Sequence, residues 1–454
     1  MSTPVLGDTN LPTGTSAPYR DYHEQPLDAL LRLLIVVLLC LLAYAAVRYR
    51  LLQPLLQEIG SGSLAHYLLV PALVWLCCCL GLLVLRTLLW FTYRAPALAS
   101  FDEAPMMTVV IPAYNEGPMV AKSIDSVAEA RYPRERLEIL VVDDGSTDDT
   151  WTHIEAAAAR HPGLVTTVRF SKNRGKRAGL EAGFRSAKGE VVVTIDSDSV
   201  IESNTLLAMA GAFRDPKVGA VAGKVTVFND KGLIPRMLKV RFALSFDFLR
   251  ATQSTYDTVF CCPGALAGYR LSVVREVLDE WMNQTFMGVP CTYGEDRSMT
   301  NYIIRQGYKS LYQRAAVVRT LVPHQYKKLC KMFLRWDRSY VREEIRFAGI
   351  LWRLPWKAKI MSFLEMLITC LRFPIGWVSL VALFLLSVQD PSILMKTAIV
   401  IFIVSCFNML YYLRSERSWD FVYGIFYAYY STLALFWVFP YAVFTVREQS
   451  WMTR

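Results

Sequence analysis

Between residues 108 and 201 short β-branched runs alternate with stretches of helical spacing. TVVIPAY, LEILVVDDGS, LVTTVRF and EVVVTIDSD read as strands, and the spacing predicts helices near 118 to 130, 148 to 160 and 176 to 187. That alternation implies parallel strands joined by crossover helices, an α/β arrangement in which ligands bind beyond the carboxyl ends of the strands. The polar clusters fall there: Tyr114, Asn115 and Glu116 after the first strand, Asp143 and Asp144 at the second, Asp196 and Asp198 after the fourth.

The flanks follow a different pattern. Long apolar runs lie at about 29 to 47, 67 to 91, 360 to 387, 394 to 413 and 421 to 446, each near the length that crosses a bilayer. The first run begins some thirty residues in and has no small-residue cleavage site, so it reads as a retained span. Glu365 and Arg372 interrupt the third run and Pro440 the last, while Arg414, Arg417, Arg447 and Arg454 favour a cytoplasmic loop and a cytoplasmic C-terminus. Three full crossings would leave the C-terminus outside, so one stretch is expected to lie in the interface or to be broken. The resulting division is a disordered tail (1–26), two spans (27–98), a soluble α/β domain (99–326), amphipathic interface helices (327–359) and a C-terminal membrane region (360–454).

Composition agrees with a membrane protein: 454 residues, 54% hydrophobic, with a net charge of +10. The charge is concentrated between Lys327 and Lys359, where ten Lys or Arg face Asp337, Glu343 and Glu344. The interleaved Trp336, Phe347, Trp352 and Trp356 suit a lipid headgroup surface better than nucleic acid. Ten cysteines without regular spacing give no disulfide framework, and five scattered histidines argue against an imidazole-held metal. Any metal is expected to be a hard ion held by oxygen.

Asp196-Ser197-Asp198 places two carboxylates at one strand end, where they repel and resist desolvation. Mg²⁺ or Mn²⁺ bridging carboxylate and phosphate would remove the difficulty; the plainer alternative is a cap on a helix beginning near Ser203. SKNRGKRAGL clusters Lys172, Arg174, Lys176 and Arg177 around Gly175 at a helix start, which suits a diphosphate or else a solvated basic face. Glu295-Asp296-Arg297 reads as an acid/base group or a surface ion pair, and Trp336 as a sugar platform or an interface anchor. Asn283-Gln284-Thr285 is a formal glycosylation sequon, without meaning on a cytoplasmic domain.

The order VIPAYNE, VVDDGSTD, KNRGKR, DSDS, GED and RW resembles the processive, membrane-embedded members of the family 2 inverting glycosyltransferases. Within that group RATQSTYDTVFCCPGALAGYR, NQTFMGVPCTYGEDRSMTNYIIRQGYKSLYQ, RWDRSYVRE and the terminal WMTR are most similar to hyaluronan synthases, and chitin and chitooligosaccharide synthases are similar too. The resemblance implies a GT-A (Rossmann-like) catalytic domain on the cytoplasmic side of the inner (plasma) membrane, inserted between multi-pass helices. It implies UDP-sugar donors, a growing polysaccharide passed outward beside membrane lipid, and Mg²⁺ or Mn²⁺. Carried over by motif, Tyr114, Glu116, Asp143, Asp144, Lys176, Arg177 and Asp196 would face the nucleotide, and Asp198 with Asp196 would hold the metal. Asp296 would be the general base beside Glu295, Arg335 and Trp336 would contact diphosphate and acceptor, and Cys262 and Gly264 would lie on the acceptor side.

Two positions depart from the pattern. Met332 stands where the family's QxxRW motif has glutamine, and Lys224 stands where hyaluronan synthases tend to be acidic; both are expected near the sugars. Hyaluronan, from UDP-GlcNAc and UDP-GlcA, is the leading product. A chitin-like or other single-donor polymer is the nearest rival, followed by single transfer to a lipid carrier.

Overall fold

The computed structural model describes residues 26–48 and 64–448. The expected tail before residue 26, residues 49–63 and the terminal WMTR motif lie outside the described residues. The first two apolar runs form helices α1 (Pro26–Arg48) and α2 (Leu64–Thr92), and the α/β domain follows with the predicted alternation. β1 (Met107–Ala113), α3 (Met119–Ala128), β2 (Leu137–Asp143), α4 (Thr150–Arg160), β3 (Val165–Arg169), α5 (Lys176–Ser186) and β4 (Val191–Thr194) come in that order. β5 (Ser199–Ile201), α6 (Thr205–Ala212) and β6 (Val218–Val227) complete this half.

Every residue of β1 and β2 is buried, because both faces are covered by helices. Side chains alternate across a strand. Val109 and Ile111 therefore join Ile124 of α3 and Ile154 of α4 in one cluster, while Val110 joins Leu180 and Phe184 of α5 in another. Helix α5 lies very close to β1. A Cβ on Gly183 would stand 2.3 Å from Val110 Cγ1, so only glycine lets the helix approach this far.

After α7 (Leu233–Phe242), a π-helical turn (Ala243–Phe248) and α8 (Leu249–Ser254), the chain re-enters the sheet as β7 (Ala267–Arg270). Next come α9 (Leu271–Met282), the hairpin β8 (Thr285–Phe286) and β9 (Val289–Pro290), α10 (Glu295–Arg305), β10 (Lys309–Thr320) and the long α11 (Tyr326–Ile350). The main sheet runs β3-β2-β1-β4-β7-β6-β10-β5. The parallel expectation holds for β1 to β4, but β7 is antiparallel to both its neighbours and β5 to β10. The cause is local: Gly264 is held at the rim against Asp296, so the segment after it enters the sheet from the carboxyl-end side and runs back.

Among the described residues two helices, α12 (Trp356–Gln389) and α13 (Ser392–Glu416), are long and apolar enough to cross a membrane. The last apolar run is instead broken into α14 (Phe421–Ala434) and α15 (Val438–Phe444), bent by 48°. Pro440 sits in the first turn of α15, where its missing N–H leaves no helical bond unmade. Glu365, the acid inside α12, is buried and accepts bonds from Arg86 Nε (3.1 Å) and Gln253 Nε2 (3.0 Å). Lys224 has its ammonium paired with Glu416 at the end of α13, 2.6 Å away. Met332 packs half-buried against the main core, an apolar setting that suits a thioether.

The approach of α5 to β1 is testable. Gly183→Ala drives a methyl into a buried, rigid strand and should cost about 1–3 kcal/mol by overpacking. Gly179→Ala, whose new Cβ would meet Pro112 Cβ at 3.3 Å, should cost less. Thermal unfolding midpoints in detergent, compared between the two variants, read the difference; equal midpoints would show that the helix shifts freely.

Candidate active site

Three strand ends meet at the start of α5. At the end of β2 the Asp144 carboxylate accepts the backbone amides of Arg174 (2.7 Å) and Gly175 (2.8 Å), fixing the KNRGKR loop over the sheet. Burial raises the Asp144 pKa against these amides. Asp143 accepts the Ser146 amide (3.1 Å) and pairs with Arg169 (3.2 Å). The loop after β1 is latched to the same turn, with the Asn115 amide on Ser146 Oγ (3.1 Å) and the Glu116 amide on Thr150 Oγ1 (2.8 Å). Tyr114 and Glu116 are left half-buried beside it.

Lys176, the first residue of α5, reaches across to the end of β4. Its Nζ lies 2.5 Å from Asp196 Oδ1 and 3.0 Å from Glu295 Oε1. Burial alone would depress this amine, but the two carboxylates outweigh it and hold the ammonium charged. Lys176, Thr194, Asp196, Gly264, Glu295 and Asp296 line one cleft. Gly264 belongs there for lack of space, since a Cβ would stand 3.0 Å from Lys176 Nζ.

The two adjacent acids at the start of α10 are driven apart. Burial pushes Glu295 up, but the Lys176 ammonium, with help from Arg335, brings it down to about 2. Asp296 goes the other way, raised first by burial and then by the neighbouring Glu295 charge, against Lys176 and the amides of Arg297 and Gly264. Its Oδ1 accepts the Arg297 amide (2.7 Å), and its Oδ2 accepts the Gly264 amide (3.1 Å) and the Cys261 thiol (3.7 Å).

Other residues singled out from sequence sit around this centre. Asp198 is 1% exposed, and its Oδ1 accepts the hydroxyls of Ser199 (3.0 Å) and Thr320 (3.1 Å). Arg335 and Trp336 are half-buried on α11, with the indole edge-on to Phe333 (5.7 Å) and tilted against Phe242 (6.2 Å). Arg177 is turned away from the cleft: its Nη1 donates to Trp281 O (2.6 Å) and Gln284 Oε1 (3.0 Å), and its guanidinium lies 4.6 Å over the Trp281 ring. Cys262 is fully buried, and the thiol that meets Asp296 belongs to Cys261, which sequence reasoning passed over. Trp281 was passed over too. It lines the cleft and donates from Nε1 to Glu295 O (3.2 Å), and an isolated tryptophan at the end of an amphipathic helix gives no signal of this.

The chemistry of the donor set decides whether a divalent ion fits. Among the described residues no group of three or more His, Cys, Asp or Glu is placed to enclose a metal. Asp196 and Asp198 offer hard oxygen only, and a pair of carboxylates suits Mg²⁺ or Mn²⁺ that completes its shell from substrate phosphates. The residues present fit such an ion.

Comparison with known proteins concerns the chain and its fold. The sequence pattern of the family described as Glycosyl transferase family 2 matches residues 108–278. An N-acetylglucosaminyltransferase of Azorhizobium caulinodans is 30% identical over 355 residues, covering 77% of this chain and 87% of that protein. A hyaluronan synthase of Streptococcus pyogenes is 32% identical over 361 residues, covering 77% of this chain and 83% of that one. In fold, a mannosyltransferase from Pyrobaculum calidifontis, solved with GDP-Man and Mn²⁺, superposes with a TM-score of 0.58 at 22% identity over 80% of this chain and 98% of its own.

The opposed shifts of Glu295 and Asp296 make a prediction about pH. If Asp296 accepts a proton in the reaction, it does so only when deprotonated, and the rate then falls as pH drops through its raised pKa. Glu295→Gln removes a charge that raises it and also leaves Lys176 less neutralised, and both changes act in the same direction. The acid limb of the kcat/KM profile should therefore move to lower pH. An upward move would show that another group titrates.

Proposed function

The chain belongs to glycosyl transferase family 2, and from that premise we propose that it is a membrane-embedded, processive synthase joining UDP-sugars into a β-linked polysaccharide. Its proposed donors are UDP-N-acetylglucosamine and UDP-glucuronate, and its product passes outward. The observation that carries this reading is the Lys176–Asp196–Glu295 triad beside Asp296 in one cleft, with the Arg335 guanidinium close enough to help lower Glu295. The two long apolar helices α12 and α13 and the broken α14–α15 pair support a membrane protein. We place the domain of 99–326 on the cytoplasmic face, with 327–359 along the interface and 360–454 in the bilayer.

Uridine lies against Glu116, Asp143 and Tyr114 at the β1 and β2 ends in this reading. Lys176 faces the diphosphate, and Arg335 approaches it from α11. Asp198 and Asp196 would hold a divalent ion, which would supply positive charge against the departing diphosphate. Asp296 accepts the acceptor hydroxyl proton, the freed oxygen bonds to the donor's anomeric carbon, and the bond from that carbon to the diphosphate breaks with inversion. A raised pKa suits this role, because a base works best with a pKa near the operating pH. The Trp336 indole offers a face for the acceptor sugar ring.

Two features support an acidic sugar among the donors. One similar protein is a hyaluronan synthase. In addition, Arg241 lies over Phe333 (5.1 Å) and Tyr427 (5.7 Å), so a cation flanks the aromatic group that holds Trp336. Guanidinium is well suited to pairing with carboxylate.

Purified protein in nanodiscs with Mg²⁺ or Mn²⁺ should make high-mass polymer only when both donors are present. Polymer from UDP-GlcNAc alone would move the assignment to a chitin-like synthase, and a single added sugar with every donor would end the processive reading. Asp296→Asn should lower transfer by roughly 10²–10⁴-fold while UDP affinity stays within a few-fold. Near-normal polymer from that variant would show the base to be elsewhere.

A further inference from the structure

Gln284, in the short link between α9 and β8, is 4% exposed, and its amide joins three helices. Its Oε1 accepts Arg177 Nη1 (3.0 Å) from α5 and Ser298 Oγ (2.5 Å) from α10, and its Nε2 donates to Glu343 Oε1 (2.7 Å) on α11. Two donors on one side and a carboxylate on the other leave a single satisfactory orientation of the amide. Glu343, fully buried, also accepts Arg342 Nε (3.0 Å) on Oε1 and Asn301 Nδ2 (3.2 Å) of α10 on Oε2.

These three helices carry the three parts of the proposed reaction. Lys176 precedes Arg177 on α5, and Asp296 lies two residues before Ser298 on α10. Trp336 stands seven residues, about two turns or 10 Å, before Glu343 on α11. Arg177 extends the link by stacking on Trp281, whose Nε1 holds the Glu295 carbonyl. Of Arg177, Gln284, Ser298, Asn301, Glu343 and Trp281 only Trp281 lines the cleft, so the network acts on chemistry only through what it holds. At the centre of the network every polar side-chain atom of Gln284 and of Glu343 has a partner, and buried polar groups satisfied in this way favour one arrangement of the elements they join.

We propose that Gln284 and Glu343 are positioning residues that set the gap between the Asp296 carboxylate and the Trp336 indole, and so govern transfer to the acceptor sugar but not donor binding. This rests on the reading of Asp296 as base and Trp336 as acceptor platform. The bond formed in transfer needs base and acceptor hydroxyl in contact, and a misplacement of about 1 Å can cost on the order of 10²-fold. Release of UDP to water has no such need for Trp336.

The test compares polymer transfer with donor hydrolysis. Gln284→Glu keeps the volume, removes the donor to Glu343 and sets two carboxylates face to face. The ratio of transfer to hydrolysis should fall roughly 10- to 100-fold, with KM for the donors within a few-fold of the parent. Adding Glu343→Gln restores one carboxylate and one amide at the contact and should recover most of the ratio. A merely structural role would lower both reactions together and give no such selective rescue. An unchanged ratio in Gln284→Glu, or no recovery in the double variant, overturns the proposal. If Gln284→Glu fails to fold, Ser298→Ala decides, since it removes one bond to the same oxygen: a several-fold drop in the ratio supports the proposal and an unchanged ratio overturns it. Asp296→Asn, run in parallel, separates the two failures. Transfer surviving in that variant overturns both this proposal and the reading beneath it, whereas transfer lost there with an unchanged ratio in the Gln284 or Ser298 variants overturns this proposal alone.

Discussion

A single ammonium holds the rim of this domain together. Lys176 sits between Asp196 and Glu295, so the end of β4 and the start of α10 meet although 99 residues separate the two acids in sequence (295 − 196). Each carboxylate would be costly to bury alone, and the lysine would be as costly without them. The approach of α5 to β1 at Gly183, the Asp144 bonds under the preceding loop and the space kept by Gly264 all serve to deliver this one side chain.

The part of this arrangement that follows local rules was legible in the sequence. β1 to β4 and their helices came from period and composition, and the acids fell at strand ends because parallel strands with crossover helices put them there. What escaped depends on long-range direction. Lys176 and Arg177 look equivalent in KNRGKR, but successive helical residues point about 100° apart, so one meets the cleft and the other goes behind it. Cys261 and Cys262 divide in the same way in extended chain, with only the first facing Asp296. The partner of Lys224 was hidden for a similar reason: Glu416 comes from the end of the apolar helix α13, which no local pattern in AGKVTVFN announces.

The same pairing logic runs through the contact between the domain and the apolar helices. Glu365 inside α12 meets Arg86 of α2 and Gln253 of α8, and Lys224 of β6 meets Glu416 of α13. The buried Asp247 receives Arg314 Nε (2.7 Å) and the Tyr312 hydroxyl (3.1 Å) from β10, and also Ser415 of α13. Such groups gain little over apolar contacts in net stability, but an unpaired one is expensive, so they penalise any other docking of the helices on the domain. Polar residues inside otherwise apolar runs are therefore informative here. They mark where the apolar helices touch the α/β domain.

Identity alone would not have divided the labour between Glu295 and Asp296, which are neighbours of the same charge on the same helix turn. Their surroundings divide it. Glu295 is committed to Lys176 and held down to about 2, so it stays charged and unavailable as a proton acceptor at any working pH. Asp296 has no cation in direct contact among the bonds that hold it, only two amides and a thiol, and burial beside a charged neighbour raises it. Two carboxylates pushed in opposite directions are the usual mark of separate roles, one electrostatic and one for proton transfer. Glu295 thus contributes twice. It fixes the Lys176 ammonium at the cleft, and its charge raises the pKa of the adjacent Asp296, the two effects on which the proposed reaction draws.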